Sequence, residues 1–583
     1  MPRVLIANRA SHMAGVREDR EVGMLDGTGA WLRKSVSQLM VLCILVCPGW
    51  CPSAFSAASP NVPVDHWSYP ALERIEAFGL IHSSLHGTRP FSREETARLI
   101  KEALTAKESS GKPLPPIIMH LLEKLQREFK PELDVYGTEC ARSSYLKPIE
   151  EAQIRYVYTD GDPRRYTGYP GSVFEADVTE GTPLVYNNEG VVYGKYNNFS
   201  VQFASTFGVG DFFAGSIEPI FLVQENEGHN DNVPGTVSAD LLKGYGKLSR
   251  WNVELEFGRD SMWWGPGRHG ELLMTNNATP FDMLKLSNPE PVLLPWYFSY
   301  LGPFKYTIFL SRLEDYRVRP LAPGPIDERP VYVGTSSFGG WRVDCKPHPL
   351  FELGVSSTFI FGGPGIPSLD FGDVLGLFGL GNVTAANNKI NQLGSFDFRL
   401  RLPWLRNSVI YGEYAGEDAG GIGGPWYTSL FNDVGYSLGL YVPRLTDDGM
   451  TDLRVEWAKN AHIVGPTPGV WYGHNIFIGG YAHDDLMIGH HMFGDAEDLF
   501  VRITRYLNKD LLVGLDYDYM KRGITLSPVQ ESINQWGVDI TYDINAHFSV
   551  TARYGFEIVD NFDLVEGDTR HNNLVMTMLK VEF

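Results

Sequence analysis

The sequence predicts an all-β transmembrane barrel of the outer-membrane type, preceded by a small N-terminal helical bundle. Three observations predict it. From about Ala152 onward, short segments alternate apolar and polar residues between turn signals. Their polar face carries charges of both signs, as in Arg454 and Glu456 or Arg553 and Glu557, as expected of strands with a lipid face and an ion-paired lumen. The last strand, Asn573 to Phe583, is amphipathic and ends on an aromatic ring.

The bulk numbers bound the alternatives. At 43% hydrophobic and 21% charged residues, the chain is not disordered. An aromatic share of 13% with 61 glycines leans toward β structure. A net charge of −20 argues against nucleic acid as a partner, because phosphate binding needs Lys and Arg.

The N-terminus reads as a processing signal. Trp31-Leu32-Arg33-Lys34 is a short basic flank, Leu39 to Cys47 is apolar, and Ser53 to Ala58 offers small residues for cleavage. Residues 1–58 are therefore expected to be an extension and signal peptide, cut after Ala57 or Ala58. The charged stretch before Met24 fits no signal flank, so the natural start is expected at Met24 or later, which N-terminal sequencing of the precursor checks. Cys140 and Cys345 remain after cleavage and are expected to stay unpaired. No later run of about 20 apolar residues suits a membrane helix, so a membrane crossing has to be made by a closed barrel.

Residues 59–150 are expected to be a periplasmic helical region. Leu72, Ile75 and Phe78 recur at helical spacing, with Gly79 at the stop. Ser92 with Glu95 three residues later is a capping box, followed by the apolar face Ala97, Ile100 and Leu104. A third helix starts near Pro115-Pro116 and runs through Leu121, Leu122, Leu125 and Phe129.

Residues 151–583 are expected to form the barrel. Its strands include Gln153–Tyr158, Phe199–Phe203, Val253–Phe257, Phe396–Leu402, Val513–Tyr519, Val538–Asp543 and Val550–Glu557. In the last strand Val575, Thr577, Leu579, Val581 and Phe583 alternate with Met576, Met578, Lys580 and Glu582. The terminal Phe583 looks like the signal that barrel assembly machinery reads. Residues 372–381, rich in Gly, and 320–330, bounded by Pro, read as long loops.

One segment stands apart: Gly258-Arg259-Asp260-Ser261-Met262-Trp263-Trp264-Gly265-Pro266-Gly267-Arg268-His269, continuing to Asn276-Asn277-Ala278-Thr279-Pro280-Phe281. Adjacent tryptophans followed by Gly-Pro-Gly suit a fixed loop that displays aromatic and cationic groups. This segment resembles the capsule assembly Wzi family of outer-membrane proteins. So do Leu301-Gly302-Pro303-Phe304, Tyr411-Gly412-Glu413-Tyr414-Ala415-Gly416-Glu417-Asp418 and Gly489-His490-His491-Met492-Phe493-Gly494-Asp495-Ala496. The resemblance implies an 18-stranded barrel with a helical periplasmic portion. It also implies a non-enzymatic lectin that holds capsular or extracellular polysaccharide on the cell surface.

Sugars present apolar C–H faces and dense hydroxyls, and acidic polymers suit the Arg fork. Arg259, Asp260, Trp263, Trp264, Arg268, His269 and Asn276 are therefore the candidate polysaccharide-binding residues. The same segment reads equally as a lumen plug with Arg259 and Asp260 ion-paired to the wall. His483, Asp484, Asp485, His490, His491, Asp495 and Asp498 invite a metal reading, but their spacing matches no metalloprotease motif, and no metal or cofactor is expected. Glu413, Glu417 and Asp418 resemble paired glycosidase carboxylates, yet sequence spacing does not set their separation; they are expected to end a strand and face a wet lumen. The expected partners are polysaccharide, outer-membrane lipid and the barrel assembly machinery, with the chain acting as a monomer. A porin-like or polysaccharide-export channel and an outer-membrane enzyme acting on glycan or lipid are the rival functions.

Overall fold

Three helices form where the capping and periodicity signals place them, plus one short helix beyond. In the computed structural model, which describes residues 57–583 except 112, 137–141, 162, 167–177, 227–235, 322–328, 378–388, 418–432 and 462–470, α1 is Ser68–Ala77, α2 Arg93–Ser110, α3 Pro116–Glu128 and α4 Lys130–Val135. The Ser92 hydroxyl accepts the Glu95 N–H at 3.0 Å, as the capping box predicts. Leu72, Ile75, Ile100, Leu121, Leu122, Leu125 and Phe129 share one buried core. Burying each such side chain contributes about 1.5–3 kcal/mol, so these short helices are held by their shared apolar faces.

Eighteen antiparallel strands then close a barrel. In order they are β1 (Tyr145–Thr159), β2 (Tyr196–Val209), β3 (Phe213–Gln224), β4 (Val237–Arg250), β5 (Val253–Asp260) and β6 (Phe281–Ser287). Next come β7 (Pro303–Val318), β8 (Tyr332–His348), β9 (Phe351–Phe361), β10 (Ile390–Leu402), β11 (Ser408–Glu417) and β12 (Asp433–Val442). The last are β13 (Thr451–Lys459), β14 (Ala496–Asn508), β15 (Leu511–Arg522), β16 (Glu531–Asp543), β17 (Phe548–Asp560) and β18 (Thr569–Glu582). Closure is made by β1, which pairs with β2 on one side and β18 on the other, in the register Ala152↔Val581 and Ile154↔Leu579. A closed sheet leaves no unpaired edge, the condition for crossing a bilayer with strands.

The alternation reads as expected. Val575, Leu515, Leu438 and Ile540 are exposed on the outside, while Lys580 points inward and lies 2.7 Å from Glu151. The lumen is laced with ion pairs. Arg342 bridges Asp344 and Asp397, each at 2.6 Å, and Arg502 bridges Asp516 and Asp539 at 2.8 and 2.6 Å. Cys345 carries a free thiol on β8; Cys140 lies outside the described residues, as does nearly all of the expected signal segment 1–58.

The two ends of the barrel differ. At one end the turns are short, as between β4 and β5 or β8 and β9, and exposed Phe212, Trp251, Trp296, Tyr297, Tyr300 and Trp404 ring them. Short turns mark the periplasmic end of barrels of this type, and aromatic girdles mark the bilayer interface. The helices dock here: Arg74 lies 2.7 Å from Asp452 and Lys124 lies 2.6 Å from Asp543. Within the expected Gly-rich loop, Phe371–Leu377 instead forms a short helix, α5. The Asp370 and Asp373 carboxylates each accept the other's backbone N–H at 2.9 Å, a reciprocal cap that starts the turn.

Candidate functional site

β5 and β6 are the shortest strands of the wall, because the chain leaves it at Asp260 and returns at Phe281. The intervening residues enter the lumen. Trp263–Trp264 forms a two-residue strand paired antiparallel with Thr88–Arg89 of the N-terminal region, in the register Thr88↔Trp264 and Arg89↔Trp263. The Gly265 N–H extends this ladder to the Gly87 carbonyl at 2.7 Å. Trp264 is fully buried and meets Phe309 edge-on at 5.5 Å. Trp263 is buried beneath the Arg89 guanidinium, 5.4 Å from its ring, and Arg89 donates to the Gly267 carbonyl at 3.0 Å. The two tryptophans thus clasp the helical region to the lumen.

Glycine is required in this clasp. Gly265 has φ +122, and a Cβ there would run into the Glu271 carboxylate. Glu271 in turn accepts the Gly267 N–H, and Glu413 on β11 accepts the Leu272 N–H at 2.6 Å. Glu417 accepts the Tyr472 N–H at 3.1 Å. Glu413 and Glu417 are buried. They end a strand as expected, but they hold loop backbones in a packed interior instead of facing water. Asp418 lies outside the described residues.

The remaining candidates have distinct surroundings. Arg268 lies 3.1 Å from Glu73 of α1, and its backbone N–H donates to Glu456 at 3.0 Å. Arg454 reaches the other Glu73 oxygen at 2.8 Å. Burial pushes the Glu73 carboxyl up, but the Arg268 and Arg454 guanidiniums more than offset this and hold it below the ordinary carboxylate range. His269 lies flat on Phe500, with ring centroids 3.9 Å apart, and approaches Asp498 and Asp518. The Asn276 carbonyl accepts the Glu189 N–H at 2.8 Å. Asp260 accepts from the Asn61 side chain at 2.7 Å. Arg259 stands apart on the outward face, forked onto Asp282 at 2.8 and 2.7 Å.

Trp263, Arg268, His269 and Asn276 line one cavity of about 810 Å³, with Tyr186 and Arg155 among the other walls. It runs between the helices and the wall toward Asn545 and His547 at the short-turn end. Above it, a continuous apolar core crosses the lumen, joining Trp264, Leu272 and Leu273 to Trp471, Tyr472, Phe477 and Tyr481. Asp495 is spent on a turn, accepting the Thr525 and Leu526 N–H groups at 3.0 and 2.9 Å. Asp484 and Asp485 occupy the tip of the Ala482–Met487 hairpin, both with positive φ.

Residues 165–574 match the profile of the capsule assembly protein Wzi family. The chain belongs to this family. Over 348 residues it is 26% identical to an uncharacterized 55.8 kDa protein in the cps region of Klebsiella pneumoniae. That match covers 59% of this chain and 55% of the relative, so it spans about half the relative's length. Among solved structures it is similar to Escherichia coli Wzi, an outer membrane protein involved in group 1 capsule assembly and a carbohydrate-binding β-barrel. The TM-score is 0.63 at 19% identity, covering 90% of this chain and all of that one. As a Wzi family member the chain has the eighteen-stranded fold that its motifs implied. Sequence reasoning missed Glu73, Arg89 and Asn61, the partners that the N-terminal region supplies to the motif. No local pattern marks them, because each meets its partner from more than 170 positions away.

Proposed function

We propose that this protein is a non-enzymatic, carbohydrate-binding barrel of the outer membrane that holds capsular or extracellular polysaccharide at the cell surface. The observation that carries this reading is the apolar core across the lumen, joining Trp264 of the clasp to the 471–493 excursion. A barrel filled in this way offers its outer end as a surface, whereas a porin-like or export function needs an aqueous path. The buried, backbone-bound Glu413 and Glu417 favour binding over glycan cleavage.

In this reading residues 1–58 are an extension and signal peptide cut near Ala57 or Ala58. Residues 59–150 form the periplasmic helical region and 151–583 the barrel. The exposed Phe583 serves recognition by the barrel assembly machinery, lipid surrounds the outer face, and the chain works as a monomer. The polymer meets the end opposite the helices. Asp260, Trp263, Trp264, Arg268, His269 and Asn276 fix the binding surface from beneath, and Arg259 lies at its outward rim.

The test is retention of purified capsular polymer by the full chain in detergent, with a neutral dextran as control. Selective retention is expected. Free passage of the polymer, together with steady ion conductance of the protein in planar bilayers, would overturn the proposal in favour of a channel.

A further inference from the structure

We infer that His269, His491, Asp498 and Asp518 form a divalent metal site, suited to zinc, that ties the two luminal excursions to the barrel wall. His269 comes from the excursion after β5 and His491 from the one before β14, while Asp498 and Asp518 project from β14 and β15. One ligand atom from each lies within 4.8 Å of the other three. His491, Asp498 and Asp518 are buried, and the His269 side chain is 10% exposed.

The spacing suits a metal better than hydrogen bonds. His269 Nε2 lies 3.3 Å from Asp518 Oδ2 and 3.5 Å from Asp498 Oδ2, and His491 Nε2 lies 3.3 Å from Asp498 Oδ2. None of these four atoms makes a hydrogen bond among the described residues. A tetrahedral zinc with bonds of about 2.0–2.1 Å separates its ligand atoms by about 3.3–3.4 Å. Two imidazoles and two carboxylates are a donor set that zinc accepts.

Charge balance points the same way. Other buried carboxylates of the lumen are either matched by cations, as where Arg399 lies 2.7 Å from Glu76 and Lys346 lies 3.0 Å from Glu352, beside His86, or spent on backbone N–H groups, as Glu271 and Glu413 are. Asp498 and Asp518 form ion pairs with histidines and, among the described residues, with no Arg or Lys. Two buried carboxylates without a fixed cation are costly, and a divalent ion supplies that charge. The rings are set for ligation: Phe500 stacks on His269 at 3.9 Å and Tyr186 on His491 at 4.1 Å. His269 and Asp518 line the 810 Å³ cavity, which gives an ion a way in. Sequence spacing around His490 and His491 points to no metal because two of the four ligands, His269 and Asp518, come from other segments of the chain.

The experiment uses full-length protein in detergent, stripped with chelator and titrated with Zn²⁺ or Co²⁺. Uptake of one Zn²⁺ per chain, a raised unfolding temperature and the intense visible absorption of tetrahedral cobalt are expected. His491→Gln and Asp518→Asn, tested separately, should each weaken Zn²⁺ binding about a hundredfold or more, at least the top of the range for outer-shell partners. His483→Gln, outside the cluster, should leave it unchanged. If either ligand variant fails to fold, the wild-type cobalt spectrum decides alone. No uptake by the stripped wild type, a non-tetrahedral cobalt spectrum, or Zn²⁺ affinity unchanged in both ligand variants overturns the site.

Discussion

Arg268 of the Gly-Pro-Gly-Arg motif and Glu73 of α1 meet at 3.1 Å inside the barrel, with Arg454 of the wall on the other Glu73 oxygen. The pair joins the helical region, a luminal excursion and a strand through one carboxylate. Removing one partner of a buried ion pair leaves the other charge uncompensated and costs about 3–5 kcal/mol. Glu73→Ala is therefore expected to release α1–α4 to protease while the barrel persists. Limited proteolysis of the folded protein, with intact barrel read from heat-modifiable gel mobility, checks this. Release no greater than in wild type would place the docking energy elsewhere.

The same carboxylate sets a pH dependence. The folded state holds Glu73 below its ordinary range, and an unfolded Glu titrates near pH 4.3. Its contribution is thus fully present above that value and is lost as pH falls toward the folded pKa. Protease release of the helices is expected to rise below about pH 4, and less steeply in Glu73→Gln. An equal acid response in that variant would assign the effect to other groups.

Gly265 should tolerate no side chain. Its φ of +122 and the facing Glu271 carboxylate add backbone strain of about 1–3 kcal/mol to an overpacking cost of about 1–3 kcal/mol. Gly265→Ala is expected to lower the midpoint of urea unfolding and the yield of folded barrel. Arg259→Ala provides the contrast. Its pairing with Asp282 is partly exposed, so a loss of no more than about 1 kcal/mol is expected in the same measurement.

The outer face should resist charge. Leu515 is 56% exposed and sits next to the inward, ion-paired Asp516. Leu515→Arg is expected to cost about 2–4 kcal/mol at mid-bilayer depth, measured by unfolding from lipid vesicles. A cost near zero would put this part of β15 outside the hydrocarbon layer.

The wall and the helices were legible because their signals are local. Alternation marks strands such as Val575 to Val581, and Ser92 with Glu95 starts α2 at the expected place. The strand count came through the motifs that resemble the Wzi family, since alternation alone does not count strands. The luminal site was half legible. Trp263 and Trp264 are conspicuous in sequence, but their pairing with Thr88–Arg89 spans more than 170 residues and leaves no periodic trace. Glu413 and Glu417 read in sequence as acids facing a wet lumen, because nothing in a strand's own sequence says which backbone N–H will reach it from a distant loop. His491 lies in a conspicuous His/Asp stretch, yet the polar groups around it include His269, more than 220 positions away.

The most direct test of the central claim is the partition of polysaccharide between cell and medium in a strain lacking this protein, complemented with the wild type or an empty vector. Polymer shed into the medium without the protein, returning to the cell surface with the wild type, is the predicted result. The same cell-bound fraction with and without the protein would contradict the assignment of this barrel to holding polysaccharide at the surface.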